Sequence, residues 1–215
     1  MQGTDSPLLP WTLLSSPLAV SASRIRQFNS ILLPFGLLSQ ALAGGEGLPR
    51  YLDTAALALV LGHEVVHGLD TSGRGFDLRG RLQQVWDPAS LVRYRQKAGC
   101  QAKRRWPVRR LLYRGATVQL ASRPEDTFNE DLADIQGLEL ASSVVLAGDL
   151  GEALPGLNYT REQAFFLNVA QGYCGQRGAL SEILLTHLGQ HSSYAERVDL
   201  MALHSSRYST GTVQV

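Results

Sequence analysis

Cysteine and methionine are scarce, with two of each in 215 residues. Two cysteines exclude a disulfide framework. Long apolar runs are lacking too. The longest near the start, Leu8 to Ala22, is broken by three Ser, one Thr and two Pro and is too short to span a bilayer. A secretory leader is not expected there. Val20-Ser21-Ala22 offers a small-residue cleavage site, but Asp5 is the only charge before Arg24, so a positive n-region is missing. Repeats and low-complexity tracts are absent. So is any net excess of charge: 20 Lys and Arg stand against 19 Asp and Glu, and the sum of +1 attracts no polyanion. With 44% hydrophobic and 18% charged residues the chain is not disordered. Its length suits one domain with a real core, or two small ones.

The balanced sum hides an uneven distribution. Residues 93–114, RYRQKAGCQAKRRWPVRRLLYR, hold nine basic residues and no acid, which leaves 11 basic and 19 acidic groups elsewhere. Such a strip is either a solvated surface turn or a site for an anionic partner such as heparin. A nucleic-acid partner is not expected.

Residues 17–38 mix Val, Ile, Leu and Phe with polar residues, which predicts two short strands, or a strand and a turn, stopped by Pro34 and Gly36. Residues 41–49 read as a loop. Asp53 is placed to cap a helix that is apolar at nearly every position from Ala55 to Val66, the pattern of a buried helix, with Gly68 as its stop. A Gly-rich loop and a helix over about 88–97 follow. Thr127 with Glu130 has capping-box spacing for another helix, and Thr160 with Gln163 repeats it. The chain reads as mainly α (α+β), with a few strands near its front.

His63-Glu64-Val65-Val66-His67 carries the chemistry. On a helix the two histidines lie one above the other, a spacing that suits a single zinc ion. Glu64 projects beside them and can take a proton from water that the metal has acidified. The alternative is a buried helix with two satisfied histidines, yet two His and a Glu would be costly to bury unpaired on so apolar a helix. A catalytic zinc needs a third protein ligand. Glu130 is the candidate, and Asp134, one turn on, is placed to orient a ligand imidazole from outside. Read alone, these two are better described as a capping Glu and a surface Asp. His187 and His191, also four apart, are a second metal pair or polar surface; His204 gets no role.

The motifs resemble those of the neprilysin and endothelin-converting-enzyme family of zinc metallopeptidases. His63-Glu-Val-Val-His-Gly-Leu-Asp-Thr-Ser-Gly-Arg-Gly-Phe-Asp-Leu-Arg-Gly80 is similar to the family's HExxHGxDxxGxxxDxxG stretch. Asn129-Glu-Asp-Leu-Ala-Asp-Ile-Gln-Gly-Leu138 is similar to GENIADxGGL, residues 159–174 to a helix with FFxxxAQxWC, and His191-Ser192 with Arg197-Val198 to HSPxxxRV. Order and approximate spacing agree over about residues 20–198. The resemblance implies a thermolysin-like zincin catalytic domain. It implies His63, His67 and Glu130 as ligands of one zinc, Glu64 as catalytic base and proton shuttle, and Asp134 as partner of a ligand histidine. His191 would steady the oxyanion, and Arg197 would hold a substrate carbonyl or carboxylate. Ser21-Ala22 fall where the family's edge strand bonds the peptide. Leu59, Val60 and Tyr173 fall where it lines the apolar pocket for the residue after the scissile bond.

Several positions depart from the family. Ser21 replaces an Asn and loses a two-ended amide clamp. Asn129-Glu130-Asp131 replaces Gly-Glu-Asn, so Asp131 adds a charge beside the site. Tyr173 replaces a Trp and follows Gly172. The family's cytoplasmic tail, membrane helix and covering helical lobe have no counterpart in these residues. Cys100 and Cys174 match family cysteines whose partners lie in those parts. The expectation is residues 1–16 as an N-terminal segment, 17–200 as a catalytic domain shorter than the family's, and 201–215 as a tail. The chain is read as a fragment, a truncated isoform or a decayed copy. The expected function is hydrolysis of peptides by a zinc-activated water, at the cell surface or outside the cell as the resemblance implies. The alternative is a catalytically silent zinc-binding or interaction domain of the same fold.

Overall fold

The computed structural model describes residues 15–42, 49–101, 106–148 and 153–204. The front of the chain forms β1 (Ser23–Ile25) and β2 (Ser30–Leu32), paired antiparallel with Arg24 opposite Ile31. They are joined by a 3-10 turn that ends on Asn29 in the left-handed region, φ 46°. The two short strands are those expected, and β2 ends two residues before Pro34; what was not expected is that a short helix, α1 (Phe35–Leu42), follows at once. The rest of the loop expected at 41–49 lies largely outside the described residues.

Helix α2 (Arg50–Val66) carries the HExxH motif. It starts one turn before Asp53, with Pro49 at the cap position. Proline there suits a segment whose first N–H groups have no helical partner. The helix is not buried on every side. Tyr51, Ala55, Leu59, Gly62 and Val66 are buried, whereas Ala56 and Val65 are exposed. The buried stripe meets α4 (Pro124–Val145) and α5 (Arg161–Gln171) in one core of Tyr51, Leu52, Leu138, Phe165, Phe166 and their neighbours. α7 (Tyr194–His204) closes against α4 and adds the buried Leu200 and Met201.

Thr160 and Gln163 form the capping box that opens α5: Gln163 N donates to Thr160 Oγ1 (3.1 Å) and Thr160 N to Gln163 Oε1 (2.9 Å). Thr127 does not cap α4, because Pro124 starts that helix a turn earlier. Its hydroxyl instead donates to the buried Asp131 at 2.8 Å. A hairpin of β3 (Arg109–Tyr113) and β4 (Ala116–Leu120), turning at Arg114-Gly115, was not expected. Both turn residues have positive φ, which matches the twist of a two-residue hairpin. The hairpin packs against α6 (Ala179–Leu188). The basic strip is divided between α3 (Pro88–Gln101) and β3, with residues 102–105 outside the described set. Arg109 is neutralised there by Glu182. Cys174 is exposed and free; the side chain of Cys100 lies outside the described set.

The site is positioned by the crossing of α2 and α4. Gly62 and Gly137 face one another so closely that a Cβ on Gly62 would sit 2.5 Å from the Gly137 carbonyl oxygen. A Cβ on Gly137 would sit 2.7 Å from the His63 backbone nitrogen. Gly137→Ala therefore forces the two backbones apart. The expected cost is about 1–3 kcal/mol of stability, seen as a lower midpoint in thermal unfolding. An unchanged midpoint would show that the crossing tolerates a methyl group.

Asp131 is 6% exposed and its Oδ1 has no hydrogen-bond partner. Burial, partly offset by hydrogen bonds from Ser192 and Thr127, pushes its carboxyl up to about 6. Between about pH 4 and 6 the unfolded carboxyl ionises while the folded one keeps its proton, so stability falls as pH rises; the full cost of ~3 kcal/mol persists above that window. Asp131→Asn is expected to unfold at a higher temperature than the parent at pH 7.5, with the gap closing below pH 4. A gap independent of pH would refute this account.

Candidate metal centre

α2 and α4 present their polar residues across the glycine crossing. His63 Nε2 and His67 Nε2 are 3.0 Å apart, and Glu130 Oε2 lies 3.2 Å from the first and 3.4 Å from the second. Among the described residues these three form a group able to hold a metal ion. The spacings test the fit. Ligands placed tetrahedrally at zinc's usual bond lengths are about 3.3 Å from one another. Two imidazoles and one carboxylate are also the donor set of a catalytic rather than a structural zinc. His187 belongs to no such group among the described residues; it sits in the last turn of α6, where its carbonyl accepts from Arg123.

Each ligand imidazole is held from behind by a carboxylate. His63 Nδ1 is 3.0 Å from Asp134 Oδ1, and His67 Nδ1 is 2.9 Å from Asp70 Oδ2. Both acids are fully buried and each is paired with an arginine. Arg197 grips Asp134 with two bonds, Nε to Oδ2 (2.6 Å) and Nη2 to Oδ1 (2.7 Å). Arg26 reaches Asp70 Oδ2 at 3.1 Å, and the backbone N–H groups of Ser72 and Gly73 donate to Oδ1. Such outer carboxylates fix the tautomer and turn Nε2 toward the cleft. Sequence reasoning singled out Asp134 and missed Asp70 and Arg26. Asp70 carried a signal, three residues after His67; Arg26, in the turn between the first two strands, carried none.

The charges are strongly coupled. Burial opposes protonation of His63 and His67, but the hydrogen bonds they donate to Asp134, Asp70 and Glu130 overcome it. Both imidazoles are raised, His67 to about 9. Burial would raise Glu130, yet hydrogen bonds from His191, His63 and His67 hold it well below the usual carboxylate range. Asp134 is likewise held down by His63 and Arg197 against its burial.

Glu64, one residue past the first histidine and 7% exposed, lines the same cleft, which has a volume of about 570 Å³. The structure brings Ser21, Ala22, Leu59, Val60, Tyr173, His191 and Arg197 to its walls with the three ligand candidates. Asp134 alone of the expected site residues stands behind the wall. Ser21 and Ala22 precede β1 rather than lying in a strand. His191, half exposed, stacks parallel to His63 at 6.4 Å, with its Nε2 2.9 Å from Glu130 Oε2. Tyr173 lies under the Arg197 guanidinium, 4.7 Å from Cζ to the ring centroid. Chemically the cleft combines a metal cradle, a carboxylate beside it, hydrogen-bond donors opposite and an apolar wall.

The comparisons with known proteins agree with this geometry. The family model described as peptidase family M13 matches residues 25–209. Neprilysin-2 of Caenorhabditis elegans is 30% identical over 174 residues, 79% of this chain and 23% of that protein. Human membrane metallo-endopeptidase-like 1 is 32% identical over 155 residues, 68% of this chain and 19% of its own. In fold the chain is similar to the zinc metalloprotease Zmp1 of Mycobacterium tuberculosis, solved with an inhibitor, with a TM-score of 0.76 at 19% identity over 92% of this chain and 30% of that one. The chain thus spans about a fifth to a quarter of the length of the curated relatives it matches. Over that span it belongs to peptidase family M13.

Proposed function

We propose that this chain is a zinc-dependent metalloendopeptidase domain that hydrolyses peptide bonds. The observation that carries the proposal is the triangle of His63, His67 and Glu130 with Glu64 on the wall of the same cleft. His63, His67 and Glu130 hold the ion, with Asp134 and Asp70 aiming the two imidazoles. When bound, zinc supplies Lewis acidity, which makes water nucleophilic near neutral pH and polarises a carbonyl. Glu64 accepts the proton of the attacking water and passes it to the leaving amine. His191 donates to the oxygen on which negative charge develops. Arg197, fixed by Asp134, orients a substrate carbonyl or carboxylate. Ser21 and Ala22 bind the peptide backbone, and Leu59, Val60 and Tyr173 receive an apolar side chain after the scissile bond. The relatives' names support peptides as the substrate class, and the name membrane metallo-endopeptidase-like 1 supports a membrane setting; the cell-surface or extracellular setting is what the motif resemblance implies. No helix among the described residues is long and apolar enough to cross a membrane. An anionic partner for residues 93–114 remains a separate proposal, supported by that strip's composition alone.

Two experiments test this assignment. His63 and His67 carry raised proton affinities, and metal ligands must be deprotonated. Zinc therefore competes with protons. Its affinity is expected to rise about tenfold per pH unit for each proton displaced, up to about pH 9 for His67. Competition with a chromophoric chelator between pH 6 and 8 measures this, and a flat profile would refute it. Glu64→Gln is expected to lower hydrolysis of a fluorogenic peptide by about 10²–10⁴-fold while zinc affinity is retained. A chelator should silence the parent. Equal cleavage by parent and variant refutes the mechanism; zinc binding without chelator-sensitive cleavage identifies the silent zinc-binding domain instead.

A further inference from the structure

The metal cleft adjoins a second recess, of about 680 Å³, and the two share Arg24 and Arg26 in their walls. The order of residues along α2 gives the direction from one to the other. Leu59, His63 and His67 follow one another at four-residue steps on one face of the helix, about 6 Å apart. Leu59 and Val60 line the apolar end of the cleft. The Arg24 guanidinium sits at the opposite end, beside the residue after His67: a Cβ on Gly68 would lie 3.4 Å from its Nη2. The apolar pocket and Arg24 therefore flank the metal cradle. The first strand supports the same order. Among the described residues β1 pairs with β2 alone, and residues 21–24 line the cleft in succession. An extended peptide can add to such an edge.

The recess has its own character. Val65, Leu69, Phe76, Val85 and Trp86 give it an apolar floor, and Leu69 and Val85 are half exposed. Arg24, Arg26, Arg79 and Arg81 stand around it. Arg26 is held by Asp70 and Arg81 by Asp77. Arg24 and Arg79 have no carboxylate partner among the described residues. Arg24 donates to the neutral side chain of Asn29, and its Nε is buried without a hydrogen-bond partner. The recess thus keeps uncompensated positive charge beside apolar surface, which suits an acidic segment with apolar side chains.

We infer that this recess receives the part of a peptide that precedes the scissile bond, with Arg24 gripping an Asp or Glu side chain there. The inference rests on the peptidase reading for its orientation. With the side chain after the scissile bond among Leu59, Val60 and Tyr173, the residues before the bond pass His67 and reach Arg24. The bond to Asn29 and the backbone of Gly68 hold the guanidinium at the mouth of the recess, where its fork matches a carboxylate. Apolar side chains farther from the cut lie on the floor at Leu69 and Val85.

The test measures binding separately from turnover. Peptides with an apolar residue after the scissile bond are titrated by fluorescence anisotropy into the zinc-loaded full chain carrying Glu64→Gln. Each carries Glu or Gln at one of the positions before the bond, taken singly over the nearest few, and a control pair carries them after it. One position before the bond is expected to bind about tenfold tighter with Glu than with Gln, the scale of a charged hydrogen bond. Arg24→Gln should bring that pair within about twofold, and Arg24→Lys, which keeps the charge without the fork, should fall between. The control pair should respond to neither variant. Circular dichroism checks that both variants fold, and the lysine variant decides if the glutamine one does not. Equal affinity for Glu and Gln at every position before the bond overturns the site. So does a preference that is alike at all of them, that is undiminished in both variants, or that depends on Arg24 only in the control pair. If the chain with Glu64 intact cleaves nothing but the Arg24-dependent preference is found, the site stands and the hydrolase reading falls. If cleavage is found without the preference, the reverse holds.

Discussion

The contact on which the rest depends is the crossing of α2 and α4 at Gly62 and Gly137. Neither position has room for a Cβ, since each would press on the other helix's backbone. The close approach lets a histidine on one helix touch two carboxylates on the other: His63 reaches Glu130 and Asp134 at once. A crossing at the usual 8–10 Å between axes would leave those side chains short of contact. The glycines cost helix propensity, about 1 kcal/mol each relative to alanine, and the core of Tyr51, Leu138, Phe165 and Phe166 compensates for it by burying the same face.

The second constraint is electrical. Asp134 and Asp70 are fully buried, and an unpaired buried carboxylate would be protonated or would unfold its surroundings. Each is met by an imidazole and an arginine, and Asp70 also by two backbone N–H groups. The arginines thereby hold the histidines indirectly. Asp131 shows the opposite case: its Oδ1 has no partner, and its carboxyl keeps a proton into the mildly acidic range. Below about pH 6, two acids three residues apart on one helix thus differ in charge state because of what faces them.

Much of this was legible in the sequence for a local reason. HExxH and the spacing of Glu130 and Asp134 are set by a helical turn, and four ordered motifs identify the family. The capping box at Thr160 was legible because both partners lie within one turn. Thr127 has the same signature and fails because Pro124 starts the helix first. The β3–β4 hairpin was hidden by the basic strip, whose charges mask the alternation of Leu111 and Tyr113. Arg26 could not have been found: its partner is 44 residues away, and nothing near it in sequence marks the meeting. The glycine pair was invisible for the same reason, because each glycine alone reads as a mild flaw in a helix.

The two histidine–carboxylate pairs differ in one respect with consequences for how the chain folds. His67 and Asp70 are three residues apart, whereas His63 and Asp134 are separated by 71. The first pair forms within a single helix end, as soon as α2 and its following turn exist. The second requires the chain between the helices to close on itself, with an entropy cost that grows only slowly with loop length. A metal ion held by His63, His67 and Glu130 would tie that loop shut. Its binding energy would then count toward folding as well as chemistry. The centre is in this sense a noncovalent cross-link, joining two helices that lie far apart in the chain.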